Sequence, residues 1–472
     1  MRIVPESSGP RWAREAVARS STPSGIEPPR ASMPTMPHTM VIEFSGLSSI
    51  VARNGVNYCC PCGFMGVEAA ATRASIRKSE RKSMAARDLP GSVLPAESPA
   101  FTAQVCTQTW HSEPSEREVL LLGFFVCLIF LAIIASLSNP LVVVDQTGDN
   151  GAYIRIATAI RTWDFSGVSP KLFWGLPYAI AALSFLTGMP GQTALLMISL
   201  GCSFLALLFA YRLWGGWVAA FFAIVNFDWI ARSVLGGAEP MFVALLFGSF
   251  LLMRKQRWVL AASLAGLATV VRPVGVFALV GIGVTLLWRR EYRQLAWSTL
   301  TGVLIGGLYV LPMVLLFRSP LANVHAYQQR DWAGGRLIDI PFRAIVHDAI
   351  YGHPPATNLA LTTAWMVLVL LGMAILARRS AWRELWNDRA AEAVFFFVYV
   401  LFLFTYNSGW ARADFPRFAV PVLPFALMAL ERYLPHDRRI LWITGALGAV
   451  LAACSTLGIR NVAEIVRKGL GS

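Results

Sequence analysis

From Glu118 to about residue 458, apolar runs of roughly 15–22 residues follow one another with only short polar or basic turns between them. Few folds accept that pattern. In lipid no water is present to satisfy a backbone N–H or C=O, so each run must close its hydrogen bonds within itself, as a helix does. The runs fall at 118–138, 191–210, 214–235, 239–253, 257–271, 273–288, 296–317, 358–377, 391–406, 418–433 and 439–458. A further run, 172–186, is broken by Gly175 and Pro177 and is too short for a comfortable span of about 17–25 residues. Composition agrees: 56% of the 472 residues are hydrophobic and only 14% charged, against about 25% charged in soluble domains. The expected fold is an all-α polytopic membrane protein of about 11 transmembrane helices, with juxtamembrane helices on its outer face. The 16 Trp and 11 Tyr suffice for interfacial belts.

Residues 1–115 are a different material, rich in Arg, Ser, Pro and Ala with mixed charge. They contain no run long enough to span a bilayer and no signal-peptide pattern. Two readings stand: a disordered extension, or an over-long gene model whose true start is Met40 or Met84. The cluster Cys59-Cys60-Pro61-Cys62 has no second ligand pair at zinc spacing. Cys127, Cys202 and Cys454 sit in apolar runs, where a thiol behaves as a small hydrophobe. The chain thus divides into 1–115, a membrane domain at 118–458 and a short tail at 459–472.

Basic loops set the sidedness. They are Arg254-Lys255-Gln256-Arg257, Arg289–Arg293, Arg378–Arg389 and His436–Arg439. With eleven spans and a cytoplasmic N-terminus, all four fall on the cytoplasmic face, as the positive-inside rule requires. Promoting 172–186 to a span would move the N-terminus outside, against its Arg-bearing flank, so that run is expected to lie at the membrane surface or re-enter. The net charge of +14 is then loop arginine rather than a nucleic-acid footprint, and the expected location is the cell membrane. The loop 139–171, the turns at Gly236–Pro240 and Arg272-Pro273, the loop 318–357 and the turn Asn407–Arg417 share the outer face.

That face carries the candidate chemistry. Asp149, in Gly148-Asp149-Asn150-Gly151-Ala152-Tyr153, is the candidate general base, and Asp145 competes with it. If 150–161 is a short amphipathic helix, Asp149 stands at its N-cap, where amides stabilise a carboxylate, and capping alone would also explain it. Tyr153 lies four residues on, on the same helical face. Glu239, before Pro240, is either a polar site group or ordinary helix-start chemistry. Asp228 and Arg232 form an i, i+4 pair within a span, functional by default yet equally suited to a structural bridge. Arg272 and Arg417 suit a lipid phosphate through charge-assisted hydrogen bonds, though a lone Arg there can also snorkel. Gln329, Arg330 and Trp332 in Tyr327–Trp332 combine hydrogen-bonding groups with an aromatic plane fit for a sugar. No Walker loop, dinucleotide fingerprint or zinc motif competes.

In their order these pieces resemble the GT-C class of integral-membrane glycosyltransferases, especially bacterial relatives of the PIG-V and protein O-mannosyltransferase families. The matching stretches are Gly148–Ala157, Ala238–Phe242, Leu264–Gly275, Gln329–Trp332 and Arg417–Pro424, within 118–458. The resemblance implies a GT-C-like fold and a polyprenyl-phosphate sugar, possibly of mannose, as donor. The acceptor would be a hydroxyl on a lipid, glycan or protein. It further implies Asp149 as base for an inverting transfer, Arg272, Arg417 and Arg330 toward the donor phosphate, and Tyr153, Glu239, Gln329 and Trp332 toward substrate. A monophosphate leaving group demands a divalent metal less than a nucleotide diphosphate does, so neither metal nor cofactor is expected. The rival is a multi-pass transporter or flippase, which would place ionisable groups near the midplane and show internal repeats.

Overall fold

The computed structural model describes residues 112–457, apart from 331–335, 353–355 and 409–410 and the side chains of 329–330 and 356–358. Every regular element among the described residues is helical. In chain order these are α1 (Glu116–Leu137), α2 (Pro140–Gln146), α3 (Asn150–Thr162), α4 (Gly175–Thr187), α5 (Gly191–Trp214), α6 (Gly216–Val225) and α7 (Phe227–Leu235). Next come α8 (Ala238–Arg254), α9 (Trp258–Val271), α10 (Val276–Trp288), α11 (Tyr292–Gly306), α12 (Val310–Phe317), α13 (Ala322–Arg330) and α14 (Arg343–Tyr351). The last are α15 (Ala356–Leu376), α16 (Arg379–Thr405), α17 (Phe415–Ala419), α18 (Leu423–Ala429) and α19 (Arg438–Thr456). The domain boundaries expected at 1–115 and 459–472 fall on residues outside those described, save the last few before Glu116.

Each of the eleven apolar runs corresponds to one helix or to consecutive helices, which gives the all-α, multi-pass membrane architecture. Among the described residues five segments are long and apolar enough to cross a bilayer alone, or six if one bent pair counts as a span. The run 214–235 is that pair. It is bent by 78° between α6 and α7 instead of running straight. The cause is Asn226, whose Oδ1 accepts the Trp229 amide as an N-cap while its Nδ2 donates to Pro416 O at 2.9 Å. The run 418–433 is likewise broken, by Pro421 and Pro424, into the end of α17, a 3-10 turn at Val420–Val422 and α18. Residues 172–186 give only the 13-residue α4, packed on α3, α5 and α9.

The centre of the bundle is aromatic. Trp214, Phe222, Phe247, Phe250, Phe396 and Phe425 meet ring to ring. Around them α8 packs on α5 and α9, α9 on α11, and α10 on α16. Lipid supplies no hydrophobic force between helices, so close approach matters. Ala261, Ala262, Ala265 and Ala268 of α9, all fully buried, provide it.

The four basic loops gather at one end of the bundle. Arg254 bridges to Glu392 and donates to Leu213 O, Arg289 lies over Trp258, His436 meets Trp217, and Arg438 pairs with Glu118. The turns after α7 and α9 lie at the other end, where the site is built.

Candidate active site

Glu239 organises this end. It enters in the first turn of α8 and is almost wholly buried. Arg272, just past the C-terminus of α9, donates from Nη2 to Glu239 Oε1, and Arg417 of α17 donates from Nε to the same oxygen. A single carboxylate oxygen therefore ties together three elements distant in sequence. The approach needs a glycine: a Cβ at Gly237 would stand 2.6 Å from Glu239 Oε2 and 2.9 Å from Arg232 Cδ.

Arg417 continues the network outward. Its Nη2 lies 3.7 Å from Asp149 Oδ2 and its Nη1 3.8 Å from Asp414 Oδ2. The Arg417 side chain is 11% exposed, that of Asp149 48% and that of Asp414 36%, so Asp149 is the most exposed acid of the cluster. α3 begins where the sequence predicts and Asp149 is its N-cap residue, yet its side chain makes no cap hydrogen bond. Capping alone therefore does not account for Asp149, whose carboxylate turns toward Arg417.

The start of α3 is fixed by its neighbour. Asn150, fully buried, donates from Nδ2 to Val144 O, Leu235 O and Gly236 O at 3.1, 3.0 and 3.3 Å. This pins the Asp149 turn to the turn that introduces Glu239. Beneath it runs Arg232, 2.8 Å from where a Cβ on Gly148 would stand, and Gly148 has the left-handed φ of +54°. Arg232 and Asp228 both act electrostatically on Arg417 and Glu239. The sequence-predicted pair thus belongs to the same cluster.

Tyr153 is buried beside these charges. Burial, aided by the Asp149 carboxylate, pushes its phenol up to about 12, so it stays a protonated donor. Burial also raises the Asp414 carboxyl, against the lowering influence of Arg417. An aromatic wall flanks the cluster: Phe173 stacks on Tyr327 and tilts against Tyr309, both at 6.0 Å. Lys171 lies over the Tyr327 ring.

Two atoms of the cluster lack a hydrogen-bond partner, Glu239 Oε2 and Arg272 Nε. The two predicted phosphate arginines therefore differ. Arg417 faces three carboxylates, whereas Arg272 keeps a buried N–H donor unmet. A guanidinium with a spare N–H can hold an anion, and Glu239 ties Arg272 to the arginine that faces the half-exposed Asp149.

Asp149, Tyr153, Glu239, Arg272 and Arg417 come together. Asp145 is exposed on α2, its Oδ1 3.1 Å from a Cβ position at Gly151. Trp332 lies outside the described residues, as do the side chains of Gln329 and Arg330 at the end of α13. Sequence reasoning missed Asp414, although its i, i+3 spacing to Arg417 was a usable signal. It also missed Tyr309, a lone polar ring in an apolar run, and Lys171, which has no signal in the chain.

A larger cavity of about 640 Å³ lies away from Asp149, over α14, walled by Arg336, Asp339, Arg343, His347, Asp348 and Asn407. The two places are linked through residues 406–418: Tyr406 meets Phe418 edge-on, and Arg412 Nε donates to Asp348 Oδ2 at 2.6 Å. Among the described residues no group of His, Cys, Asp and Glu is arranged to hold a metal ion.

No protein-family profile matches the chain. No curated protein matches it either. Among solved structures it is similar to the crystal structure of ArnT from Cupriavidus metallidurans bound to undecaprenyl phosphate, at 14% identity and a TM-score of 0.44, covering 74% of this chain and 78% of that one. Similarity at that level bears on neither fold nor function.

Proposed function

We propose that the protein is a membrane glycosyltransferase of the GT-C class, moving a sugar from a polyprenyl-phosphate donor to an acceptor hydroxyl at the membrane face that carries Asp149. The observation that carries this reading is the half-exposed Asp149 carboxylate, 3.7 Å from a buried guanidinium that Glu239 fixes in place. In this scheme the acceptor oxygen attacks the anomeric carbon while Asp149 takes the hydroxyl proton. The bond from the anomeric carbon to the phosphate oxygen breaks, and its electron pair leaves with the polyprenyl phosphate. Attack opposite the leaving group inverts the anomeric centre. Arg272, with its unmet N–H, neutralises the developing phosphate charge. Arg417 positions Asp149, and Glu239 positions both arginines rather than touching the sugar. Mannose is the sugar that the sequence resemblance favours.

One observation favours a second reading. The 78° break between α6 and α7, with Asp228 and Arg232 on its far side, has the form of the broken helices that bind substrate in transporters. Proteoliposomes loaded with a radiolabelled polyprenyl-phosphate mannose separate the two. Label appearing on an added glycan or lipid acceptor, with polyprenyl phosphate released, supports transfer. Movement of intact donor across the bilayer with no label transferred, unaffected by Asp149→Asn, overturns it in favour of transport.

A further inference from the structure

The far end of α8 carries a second charged cluster, remote from Glu239. Arg254 lies fifteen residues along the helix from Glu239, about 22 Å at about 1.5 Å per residue. Arg254 itself is committed to structure, donating from Nε and Nη2 to the two oxygens of buried Glu392 at 2.6 and 2.8 Å. Beside this pair is a cavity of about 70 Å³, walled by Arg254, Gln256, Trp258, Arg289, Asp388 and Arg389. At about 30 Å³ per water, it admits a group the size of one tetrahedral oxyanion.

Two of its cations are not committed as Arg254 is. Arg389 breaks α16 with φ −140° and ψ 39°, and its Nη1 donates to the thioether of Met428 at 3.3 Å, a weak acceptor for a guanidinium. Arg289 rests on the ring of buried Trp258, 5.5 Å from its centroid, a face contact that leaves guanidinium N–H edges available. Gln256 holds a left-handed φ of +54°, uncommon for a residue with a long side chain. Of the two carboxylates, Glu392 is neutralised by Arg254 and Asp388 is exposed to solvent. The surroundings suit lipid. Trp288, Trp386 and Trp382 form a ring cluster alongside, as at a membrane interface. Leu260, Val284 and Leu287 present exposed apolar surface on α9 and α10. Lys255, Arg257, Arg290 and Arg293 crowd the same turns.

We propose that this cavity binds a phosphate oxyanion, with Arg389 and Arg289 as donors, and that its source is the headgroup of an anionic phospholipid whose chains lie along α9 and α10. The test uses the purified full chain in detergent, titrated with phosphatidylglycerol, phosphatidylcholine or inorganic phosphate, while thermal unfolding and native mass spectrometry are followed. Phosphatidylglycerol should raise the unfolding midpoint saturably, with one lipid retained, and phosphatidylcholine should not. Arg389→Gln should weaken that response at least tenfold. Arg289→Gln, at an exposed position, should weaken it as well and serves if Arg389→Gln fails to fold. A response to inorganic phosphate that Arg389→Gln removes, without one to phosphatidylglycerol, keeps the oxyanion site and overturns the lipid source. Equal responses to the two lipids, or full responses in both variants, overturn the proposal.

Discussion

Glu239 is the residue on which the site depends, because it neutralises two guanidiniums that lie almost out of reach of water. Removing one partner of a buried ionic group leaves uncompensated charge, at a cost of about 3–5 kcal/mol. Glu239→Gln should therefore lower the unfolding midpoint in detergent clearly, whereas Asp149→Asn, at a half-exposed carboxylate, should leave it nearly unchanged. Equal midpoints for the two variants would contradict the network. The arginines should separate kinetically. Arg272→Lys loses the planar fork that meets a phosphate and should raise the KM for donor. Arg417→Lys loosens Asp149 and should act mainly on kcat. Tyr153 supplies a check on pH. Burial holds it at about 12, above the usual value of about 10, so Tyr153→Phe should leave the shape of the pH–rate profile unchanged up to about pH 10. At this scale the candidate residues were legible, since a carboxylate or guanidinium beside an apolar run stands out. Their pairing was not. The sequence reading assigned Arg272 and Arg417 to a phosphate and Glu239 to a substrate, and it carried no trace that both arginines meet Glu239, through a contact between residues 178 apart in the chain.

Elements bring those residues together, and two asparagines do much of the work. Asn150 ties the start of α3 to the turn between α7 and α8, and Asn226 ties the bend between α6 and α7 to Pro416, next to Arg417. Asn226→Asp keeps the cap acceptor for Trp229 but loses the donor to Pro416 O, leaving a buried carbonyl unpaired at a cost of about 1–3 kcal/mol. The expected result is a lower unfolding midpoint with activity falling alongside, since Arg417 loses its support; an unaltered midpoint would contradict that role. The helices of the apolar runs were legible from apolar period and length, whereas α2, α13 and α14, inside the stretches read as loops, were not. Nor were the interruptions within the runs, although two have a local cause: an Asn with capping geometry between α6 and α7, and Pro421 and Pro424 between α17 and the end of α18. An apolar run reads as one span even where a polar residue within it is paired to a distant carbonyl, because the partner is invisible in one dimension.

At the scale of the whole molecule, charge pointed to which loops share an end. The positive-inside argument groups four basic loops, and all four lie at the end of the bundle opposite Glu239. A cysteine at exposed Thr162 should react with a membrane-impermeant maleimide in intact cells, and one at exposed Arg290 only after permeabilisation; labelling of both in intact cells would contradict this topology. The helical architecture follows from bilayer physics alone, whereas the 640 Å³ cavity over α14 depends on how loops fold onto the bundle and has no periodic trace in the chain. The central claim, that Asp149 is the proton acceptor in transfer from a lipid-phosphate sugar, is met most directly by one measurement. Purified wild-type and Asp149→Asn proteins are compared for transfer of radiolabelled sugar from a polyprenyl-phosphate donor at saturating donor. The account predicts transfer by the wild type and a kcat lower by about 10²–10⁴-fold in the variant, with its unfolding midpoint unchanged. A variant that transfers at the wild-type rate would contradict it.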